Sequence, residues 1–394
     1  MSRTPLNIVV NKNTPLAVEV FSRLGNVTAL DTTEVTTRAV RNADILVVRS
    51  ETKVNADLLE GSAVRFVGTV TIGTDHVDLS YLASRGIQFA SAPGSNSNSV
   101  AEYLAAALLI WSQRTSDSVR GKTIGVVGVG NVGSKVARVA RTLGMNVVLN
   151  DPPLQKETCS AEYRPLDELM DVDFITLHVP LTKSGPDATH HLFDEHRIRR
   201  MKPGAVLINT SRGPVVESKA LGDALSSKHL SASILDVWEN EPAIDVGLLN
   251  QVMLGTPHIA GYSLDGKVNA LRMVYEQVCR WLNVSAEPVN IPPDLANAEA
   301  ITIPENVSDD EAVLHGIVRQ AYDIELDDGM LRQLAAVPKS GRERFFMKLR
   351  AEYRIRREFS NRVVKLSARY ESMAETLDGL GFVTEMKKEY RWAE

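Results

Sequence analysis

The stretch "KTIGVVGVGNVGSKVARVARTLGMNVVLNDPP", residues 122–153, decides the fold of this chain. An apolar, β-branched run leads into a glycine-rich turn, a helical pattern follows, and a second apolar run ends at Asp151. A strand, a helix and a strand in this order form the unit from which doubly wound parallel sheets are built. The stretch therefore predicts an α/β fold with a parallel sheet.

The glycines of this turn, Gly128, Gly130 and Gly133, have the spacing GxGxxG, with Asn131 and Val132 between the last two. Alone the spacing is a weak signal, because a tight turn that packs closely on a helix shows it too. Between a strand and a helix it is typical of a dinucleotide site. There the second glycine lets the backbone approach a diphosphate, and the N-terminus of the helix favours the anion.

Asp151 follows the last glycine by roughly 20 residues, a distance that suits a hydrogen bond to a ribose diol. Its charge would repel a 2'-phosphate, and the next residues, Pro152 and Pro153, supply no cation. The sequence therefore favours NAD over NADP. Taken by itself, an aspartate before proline is more often a turn residue.

Other apolar runs, bounded by Gly, Asn, Asp and Pro, are predicted as buried parallel strands. These runs are "LNIVV" (6–10), "ADILVVRS" (43–50), "RFVGTV" (65–70), "GIQFASA" (86–92), "DFITLHVP" (173–180), "AVLINT" (205–210), "SASILDVW" (231–238) and "VMLGTPHI" (252–259). A proline- and asparagine-rich stretch, 284–306, predicts a linker before a small C-terminal α/β module. The charged stretch 342–357 in that module predicts a helix with a solvated face.

Composition excludes several classes of function. The chain has 394 residues, enough for two or three domains, with 44% hydrophobic and 24% charged residues and a net charge of −5. We expect no nucleic-acid or membrane partner, because no basic excess and no apolar stretch of membrane-spanning length is present. Cys159 and Cys279 lie far apart without a CxxC pattern, and His190, His191 and His196 lie in a polar stretch that predicts a surface loop and a helix start. The sequence therefore predicts a cytoplasmic protein with no metal site.

Arg212 lies in "GAVLINTSRGPVVE" (204–217), where a predicted buried strand ends. A surface cation is the commoner role of an arginine. However, ligands of doubly wound sheets bind at the carboxyl ends of the strands, and a guanidinium matches a carboxylate with two hydrogen bonds. Arg212 is therefore a candidate to hold a 2-hydroxy or 2-oxo acid.

His258 and Glu241 follow two further predicted strands, in "GTPHIAGYS" and "DVWENEPAID". Oxidation of a secondary alcohol by hydride transfer requires a base for the hydroxyl proton, and histidine suits this role. A carboxylate on its second ring nitrogen would fix the tautomer. The alternatives are a structural histidine and a plain loop glutamate, and the sequence does not show whether the two side chains meet.

Together the motifs "VGVGNVG…NDPP", "LHVPLT", "NTSRGPVV", "LDVWENEP" and "TPHIAGYS" resemble the D-isomer-specific 2-hydroxyacid dehydrogenases over most of residues 5–285. The resemblance implies a catalytic set of Arg212, Glu241 and His258. It also implies NAD contacts at Asp151, Val179, Thr210, Asp236 and Gly261.

The resemblance further implies three domains. A flavodoxin-like substrate domain of residues 1–98 and 265–290 would be interrupted by a Rossmann-type NAD domain of residues 99–264. A small C-terminal α/β domain, 291–394, would form a homodimer.

Within the family, the resemblance is strongest to members that oxidise 4-phospho-D-erythronate in vitamin B6 biosynthesis. It rests on "LVVRSETKVN", "FVGTVTIGTDHVD", "SAPGSNSNSVAEY" and "HIAGYSLDGK". Matching positions imply substrate contacts at Ser50, Thr71 and Tyr262. The chemistry of its guanidinium makes Arg49 a candidate partner of the substrate phosphate.

Two alternatives remain open at this point. The same catalytic and cofactor motifs would serve a 3-phosphoglycerate dehydrogenase or another D-2-hydroxyacid dehydrogenase. A binding protein that senses NAD(H) without turnover would have the same fold.

Overall fold

The computed structural model describes residues 5–296, 300–303 and 309–386 and divides into two compact units. Unit 1 comprises the described residues of Met1–Asn96 and Tyr262–Asn297, and unit 2 those of Ser97–Gly261 and Ala298–Glu394. The predicted boundaries at 98/99, 264/265 and 290/291 stay predictions. Of the predicted domains, residues 1–4, 297–299, 304–308 and 387–394 lie outside the described residues.

The strands, in chain order, are β1 (Leu6–Asn11), β2 (Gly25–Leu30), β3 (Ile45–Val48), β4 (Phe66–Thr69), β5 (Gln88–Ala90), β6 (Thr123–Val127), β7 (Asn146–Asn150), β8 (Phe174–Leu177), β9 (Val206–Asn209), β10 (Ala232–Leu235), β11 (Leu254–Gly255), β12 (Ile301–Thr302), β13 (Val363–Leu366) and β14 (Val383–Met386).

The α-helices are α1 (Ala17–Phe21), α2 (Thr37–Val40), α3 (Ala56–Leu59), α4 (Leu79–Ser84), α5 (Ser97–Thr115), α6 (Gly133–Thr142), α7 (Pro152–Thr158), α8 (Glu195–Arg200), α9 (Ser218–Ser226), α10 (Val246–Leu249), α11 (Leu264–Leu282), α12 (Pro293–Ala296), α13 (Asp310–Ala321), α14 (Ile324–Arg332), α15 (Arg342–Ala351) and α16 (Ala374–Leu380). Short 3-10 turns comprise Thr32–Glu34, Leu166–Leu169, Gly213–Val215, Gln333–Ala336, Lys339–Gly341, Phe359–Asn361 and Ala368–Met373.

Unit 1 contains a five-stranded parallel sheet with the order β2-β1-β3-β4-β5. This is the flavodoxin-like order, and it confirms the expected architecture. Every residue of β3 and β4 is buried, as the continuous apolar runs predicted. The sequence prediction missed β2, "GNVTAL", because this edge strand is only partly covered and mixes polar with apolar residues.

Unit 2 contains a six-stranded parallel sheet with the order β11-β10-β9-β8-β6-β7. The chain runs from β6 outward to β7 and then returns to β8 on the other side of β6. Strand order therefore reverses between β6 and β8, which is the point where doubly wound sheets bind ligands at the carboxyl ends of the strands. The predicted Rossmann-type sheet is confirmed.

The described C-terminal residues of unit 2 add a three-stranded parallel sheet, β12-β13-β14, and helices that join the core of the six-stranded sheet. Leu331, Leu334 and Phe346 belong to the same buried cluster as Leu207 and Leu235 of β9 and β10. The C-terminal module thus shares apolar core with the larger sheet.

The predicted helix in the charged stretch 342–357 is partly wrong. Helix α15 ends at Ala351, and the chain beyond it is irregular up to the 3-10 turn at Phe359. Arg356 is only 2% exposed, because its guanidinium stacks on the Tyr322 ring at 4.0 Å and donates to the backbone oxygens of Ser99 and Ala260. This arginine therefore belongs to the interior of unit 2, not to a solvated helix face.

None of the helices in the described ranges combines the length and the apolar character needed to span a bilayer.

Candidate active site

The glycine-rich turn joins β6 to α6 in unit 2, and two of its glycines are required by close packing. Gly128 has φ +85, and a Cβ there would lie 2.6 Å from the backbone oxygen of His178. A Cβ at Gly133 would lie 1.9 Å from the Gly128 oxygen, which no side chain tolerates. At Gly130, by contrast, a Cβ would meet no heavy atom within 4 Å, so the backbone of the turn is open to a ligand there.

Asn131 and Val132 complete this turn before α6 begins at Gly133. The open backbone at Gly130 and the N-terminus of α6 fit the diphosphate of a dinucleotide. This geometry agrees with the NAD site that the sequence predicts.

Asp151 follows β7 and holds the same turn. One carboxylate oxygen accepts the Val129 N–H at 2.8 Å, and the other caps α7 by accepting the Leu154 N–H at 3.0 Å. The carboxylate therefore lies beside the glycine-rich turn while both oxygens retain further acceptor capacity. Its predicted contact with a ribose diol stays a prediction.

The ends of β8 and β9 are joined by His178, which sequence reasoning did not single out. Its Nδ1 lies 3.3 Å from the Thr210 hydroxyl, and its Nε2 lies 2.9 Å from the Thr176 hydroxyl. Burial lowers the pKa of His178 to about 3, so the ring is neutral and links the hydroxyls of Thr176 and Thr210 by hydrogen bonds. Val179 lies at the same edge, because a Cβ at Gly128 would come within 2.9 Å of its side chain.

Arg212 lies in the turn after β9, and the Asn209 side chain shapes this turn. The Asn209 amide donates to the Arg212 backbone oxygen at 2.9 Å, and its oxygen accepts from the Ser211 N–H at 3.0 Å. Gly213 allows the turn to meet the end of β10, since a Cβ there would lie 1.9 Å from the Trp238 oxygen. The half-buried Arg212 is therefore fixed beside the segment that carries Glu241.

His191 supports this turn from the other side, although the sequence predicted only a surface loop for it. Its N–H donates to the Pro214 oxygen at 2.7 Å, and its ring lies 2.7 Å from a Glu239 carboxylate oxygen. Glu239 also accepts the Ser218 N–H at the start of α9. Burial alone would raise the pKa of Glu239, but the bonds from His191 and Ser218 lower it, so Glu239 remains a carboxylate.

Asp236 follows β10 and organises the loop that carries His258. It is 1% exposed, and its carboxylate accepts the Thr256 hydroxyl at 2.6 Å and the N–H groups of Ile259 and Ala260 at 2.8 and 2.9 Å. The structure thus gives Asp236 a positioning role. Gly261, the next predicted NAD contact, follows this loop directly at the end of the first segment of unit 2.

Glu241 and His258 meet as predicted for a catalytic pair. Glu241 Oε2 lies 2.8 Å from His258 Nδ1, and its Oε1 accepts the Trp238 N–H at 2.7 Å. Burial would raise the pKa of Glu241, but the charge and hydrogen bond of His258 and the Trp238 N–H lower it, so the carboxylate stays ionised. His258 itself has φ +58, a left-handed conformation. Its backbone N–H donates to the backbone oxygen of Asp236 at 2.7 Å, and this bond holds the conformation in place.

This arrangement suits proton transfer at an alcohol. A carboxylate on Nδ1 fixes the tautomer, so that Nε2 of His258 is the atom available to accept a proton. Arg212 follows β9 at the same carboxyl edge of the sheet, so this edge carries a base, an ionised partner of the base and a cation. Among the described residues, no group of three or more His, Cys, Asp or Glu side chains forms a metal site.

The predicted substrate residues of unit 1 lie at the carboxyl ends of β3 and β4. Arg49 and the exposed Ser50 follow β3, and Arg49 Nη2 donates to the Tyr262 hydroxyl at 3.3 Å. Thr71 follows β4 and donates to the Gly73 oxygen at 3.0 Å. The structure therefore brings Arg49 and Tyr262 together, while the substrate contacts themselves stay predictions.

Lys267 is the residue of this region that sequence reasoning missed. It lies in the first turns of α11, and its Nζ is 4.8 Å from the centre of the Tyr262 ring. The only signal in the sequence was a lysine within the motif "HIAGYSLDGK", and a lysine on a helix is normally a surface residue.

Comparison with known protein families assigns the central part of the chain. Residues 101–260 match the family described as D-isomer specific 2-hydroxyacid dehydrogenase, NAD binding domain. Residues 294–381 match a family described as a domain of unknown function. The predicted NAD-binding domain is thereby confirmed.

Similar proteins match nearly the whole chain. The erythronate-4-phosphate dehydrogenase of Cronobacter sakazakii is 43% identical over 382 residues, which cover 96% of this chain and 98% of that protein. The erythronate-4-phosphate dehydrogenase of Salinibacter ruber is 43% identical over 373 residues, which cover 92% of this chain and 94% of that protein. Among solved structures, D-lactate dehydrogenase of Aquifex aeolicus in complex with NAD and lactic acid is 28% identical with a TM-score of 0.58, over 70% of this chain and 95% of that one.

The sequence identity extends through both segments of unit 1, the NAD-binding domain and the C-terminal module. The chain belongs to the erythronate-4-phosphate dehydrogenase family, within the D-isomer-specific 2-hydroxyacid dehydrogenases.

Proposed function

We propose that this chain oxidises 4-phospho-D-erythronate to (R)-3-hydroxy-2-oxo-4-phosphobutanoate with NAD, as a step of vitamin B6 biosynthesis. The observation that carries the chemistry is the Glu241–His258 pair, with 2.8 Å between Oε2 and Nδ1, beside the turn that holds Arg212. The 43% identity to proteins named for this substrate supports the choice of substrate.

In the proposed mechanism, His258 Nε2 takes the proton of the C2 hydroxyl, and the C2–H bond breaks with transfer of its electron pair. When bound, NAD supplies the acceptor for that hydride, so that one NADH and one proton are released for each substrate. Glu241 keeps the tautomer of His258 and stabilises the ring once it is protonated. Arg212 binds the C1 carboxylate with two hydrogen bonds and polarises the C2 oxygen as it becomes a carbonyl.

The cofactor and substrate assignments extend this proposal. Gly128, Gly130, Asn131, Val132, Gly133 and Asp151 would hold the diphosphate and ribose of NAD, with Val179, Thr210, Asp236 and Gly261 as further contacts. Ser50, Thr71, Tyr262 and Arg49 are proposed as substrate contacts.

A substrate panel tests the proposal. Purified protein is incubated with NAD and with 4-phospho-D-erythronate, 3-phosphoglycerate or unphosphorylated D-erythronate, and both NADH and the 2-oxo product are measured. A parallel set contains a 2-oxo acid acceptor, which detects turnover even if the cofactor stays bound. The matched variants are His258→Asn, expected to abolish turnover and keep NAD binding, and the exposed Lys219→Met as control.

Each outcome of the panel decides between the candidate functions. Preference for 4-phospho-D-erythronate supports the proposal. Preference for 3-phosphoglycerate would keep the proposed catalytic residues but replace 4-phospho-D-erythronate as the proposed substrate. NAD binding without turnover of any substrate would favour a sensing protein.

We also propose a homodimer formed through residues 291–394. Large apolar side chains are exposed in this segment, among them Leu326 (56%), Met330 (45%) and Ile355 (63%), and the first two lie one turn apart on α14. Light scattering during size exclusion should give twice the chain mass of 43.2 kDa. A monomer in the wild type, or an unchanged mass for the double variant Leu326→Glu and Met330→Glu, would contradict this surface.

A cytoplasmic location is proposed on the two cysteines, which are both free, Cys159 exposed and Cys279 buried.

A further inference from the structure

Two cations share one aromatic ring in unit 1, at the carboxyl end of β3. The Arg49 guanidinium carbon lies 5.9 Å from the centre of the Tyr262 ring, and Lys267 Nζ lies 4.8 Å from the same centre. Arg49 also donates to the Tyr262 hydroxyl at 3.3 Å. Like charges are normally kept apart in a folded protein, so this placement requires an explanation.

Glu51, the acid beside this pair among the described residues, does not neutralise it. Glu51 Oε1 lies 3.7 Å from Arg49 Nη2, too far for a hydrogen bond, and the side chains of Arg49 and Glu51 are only 12% and 18% exposed. Within the described ranges, Lys267 Nζ forms no hydrogen bond or ion pair with another residue. With Lys267 protonated, these three groups carry a net charge of +1.

The unbalanced charge affects Lys267 itself. Burial and, second, the charge of Arg49 lower the pKa of Lys267 to about 8, although Glu51 acts in the opposite direction. An anion placed between the two cations would relieve their repulsion and return the proton affinity of Lys267 toward its ordinary value.

We propose that Lys267 and Arg49 form the binding site for the phosphate of the substrate, and that Lys267 determines the preference for a phosphorylated over an unphosphorylated 2-hydroxy acid. This inference rests on the proposed function for the identity of the substrate. A phosphate monoester carries a charge of about −1.5 to −2 near pH 7, more than any other group of a sugar acid. The planar guanidinium of Arg49 would donate hydrogen bonds to two phosphate oxygens, and the ammonium group of Lys267 would bind the third.

The position of the pair agrees with this role. Arg49 precedes Ser50 in the chain and contacts Tyr262, and both of these residues are proposed substrate contacts. Ligands of doubly wound sheets bind beyond the carboxyl ends of the strands, and Arg49 directly follows the carboxyl end of β3. Lys267 comes from α11, so two chain segments far apart in sequence supply the two charges.

The test compares wild type, Lys267→Met, Lys267→Arg and the control Lys219→Met, an exposed lysine on α9. Initial rates are measured with 4-phospho-D-erythronate and with unphosphorylated D-erythronate, and inorganic phosphate is titrated as an inhibitor. NAD binding by each variant reports whether the fold is intact.

Lys267→Met should raise the KM for 4-phospho-D-erythronate and the inhibition constant of inorganic phosphate by about 30-fold, the effect of losing one charge-assisted hydrogen bond. The kcat/KM for D-erythronate should change far less. Lys267→Arg should recover most of the phosphate affinity, and the control should behave as wild type. Equal losses for the two substrates, or an unchanged inhibition constant for phosphate, would overturn the inference.

Failure of the proposed function gives a different result. Suppose that the wild type turned over 3-phosphoglycerate instead, and that Lys267→Met selectively raised the KM for this substrate and the inhibition constant of inorganic phosphate. The proposed substrate would then be replaced, and the proposed phosphate site would be supported. If the wild type turned over 4-phospho-D-erythronate and Lys267→Met lacked the selective loss, the phosphate site would fail alone.

Discussion

Replacing Lys267 with methionine should make the protein more stable at pH 7 while it weakens substrate binding. In the folded state, burial and the neighbouring Arg49 lower the pKa of Lys267 from 10.5 to about 8. A tenfold change in proton affinity corresponds to about 1.4 kcal/mol, so the charged form destabilises the folded state by about 3 kcal/mol. Because the side chain is partly exposed and water screens its charge, we expect a measured gain of about 2 kcal/mol.

The pH dependence follows from the sign of this change. Below pH 8, Lys267 is charged in both the folded and the unfolded states, so the full destabilisation is present. Between pH 8 and about 10.5, the unfolded state binds more protons than the folded one, and the stability of the wild type therefore rises with pH. Above that range the wild type no longer carries the penalty, and the advantage of Lys267→Met disappears.

Urea unfolding of wild type and Lys267→Met at several pH values from 7 to 10.5 measures this difference. The buffers must contain no phosphate, since bound phosphate would stabilise the wild type selectively. In the described part of the chain, the groups that face Lys267 are Arg49, Glu51 and Tyr262, and all three are unchanged in the variant. A stability difference that does not vary with pH, or a less stable variant at pH 7, would refute the reasoning.

Three further predictions concern unit 2. Glu241→Gln should lower kcat by about 100-fold or more, because His258, the proposed catalytic base, loses the charge that stabilises its protonated ring, and NAD binding measured by titration should persist. Gly133→Ala should abolish NAD binding and the native fold, since its Cβ would lie 1.9 Å from the Gly128 oxygen, whereas Gly130→Ala should fold and bind NAD more weakly. Phe346→Ala should reduce the free energy of unfolding by about 3–5 kcal/mol, because this side chain is fully buried in the core that the C-terminal module shares with the main sheet.

Near-normal kcat in Glu241→Gln would remove the charged pair from the mechanism. A folded Gly133→Ala variant with normal NAD affinity would contradict the packing of the turn. If Phe346→Ala had wild-type stability by urea unfolding, the C-terminal module would not share core with the sheet.

Local patterns in the sequence were sufficient to predict the strand, glycine-rich turn and helix of the NAD-binding domain. The glycines at 128 and 133 and the β-branched strands around them act within about 30 residues of one another, so their spacing already predicts the strand, turn and helix. Edge strand β2 was missed because it is only partly buried and lacks a continuous apolar run. The helix predicted over 342–357 ended early, because burial of Arg356 between Tyr322 and two backbone oxygens outweighs the helix propensity of the charged stretch.

The sequence by itself determined the type of chemistry, which is hydride transfer with a dinucleotide. It did so through a glycine-rich turn, and through an arginine and a histidine that each follow a buried strand. Only the tertiary structure decided which side chains meet. The bond between Glu241 and His258 forms because β10 and β11 are neighbours in the sheet and because Asp236, after β10, holds the loop after β11 that carries His258. The charges of Arg49 and Lys267 come from segments more than 200 residues apart, so no local pattern relates them. Only the tertiary structure brings both cations to the Tyr262 ring, where we propose the phosphate site.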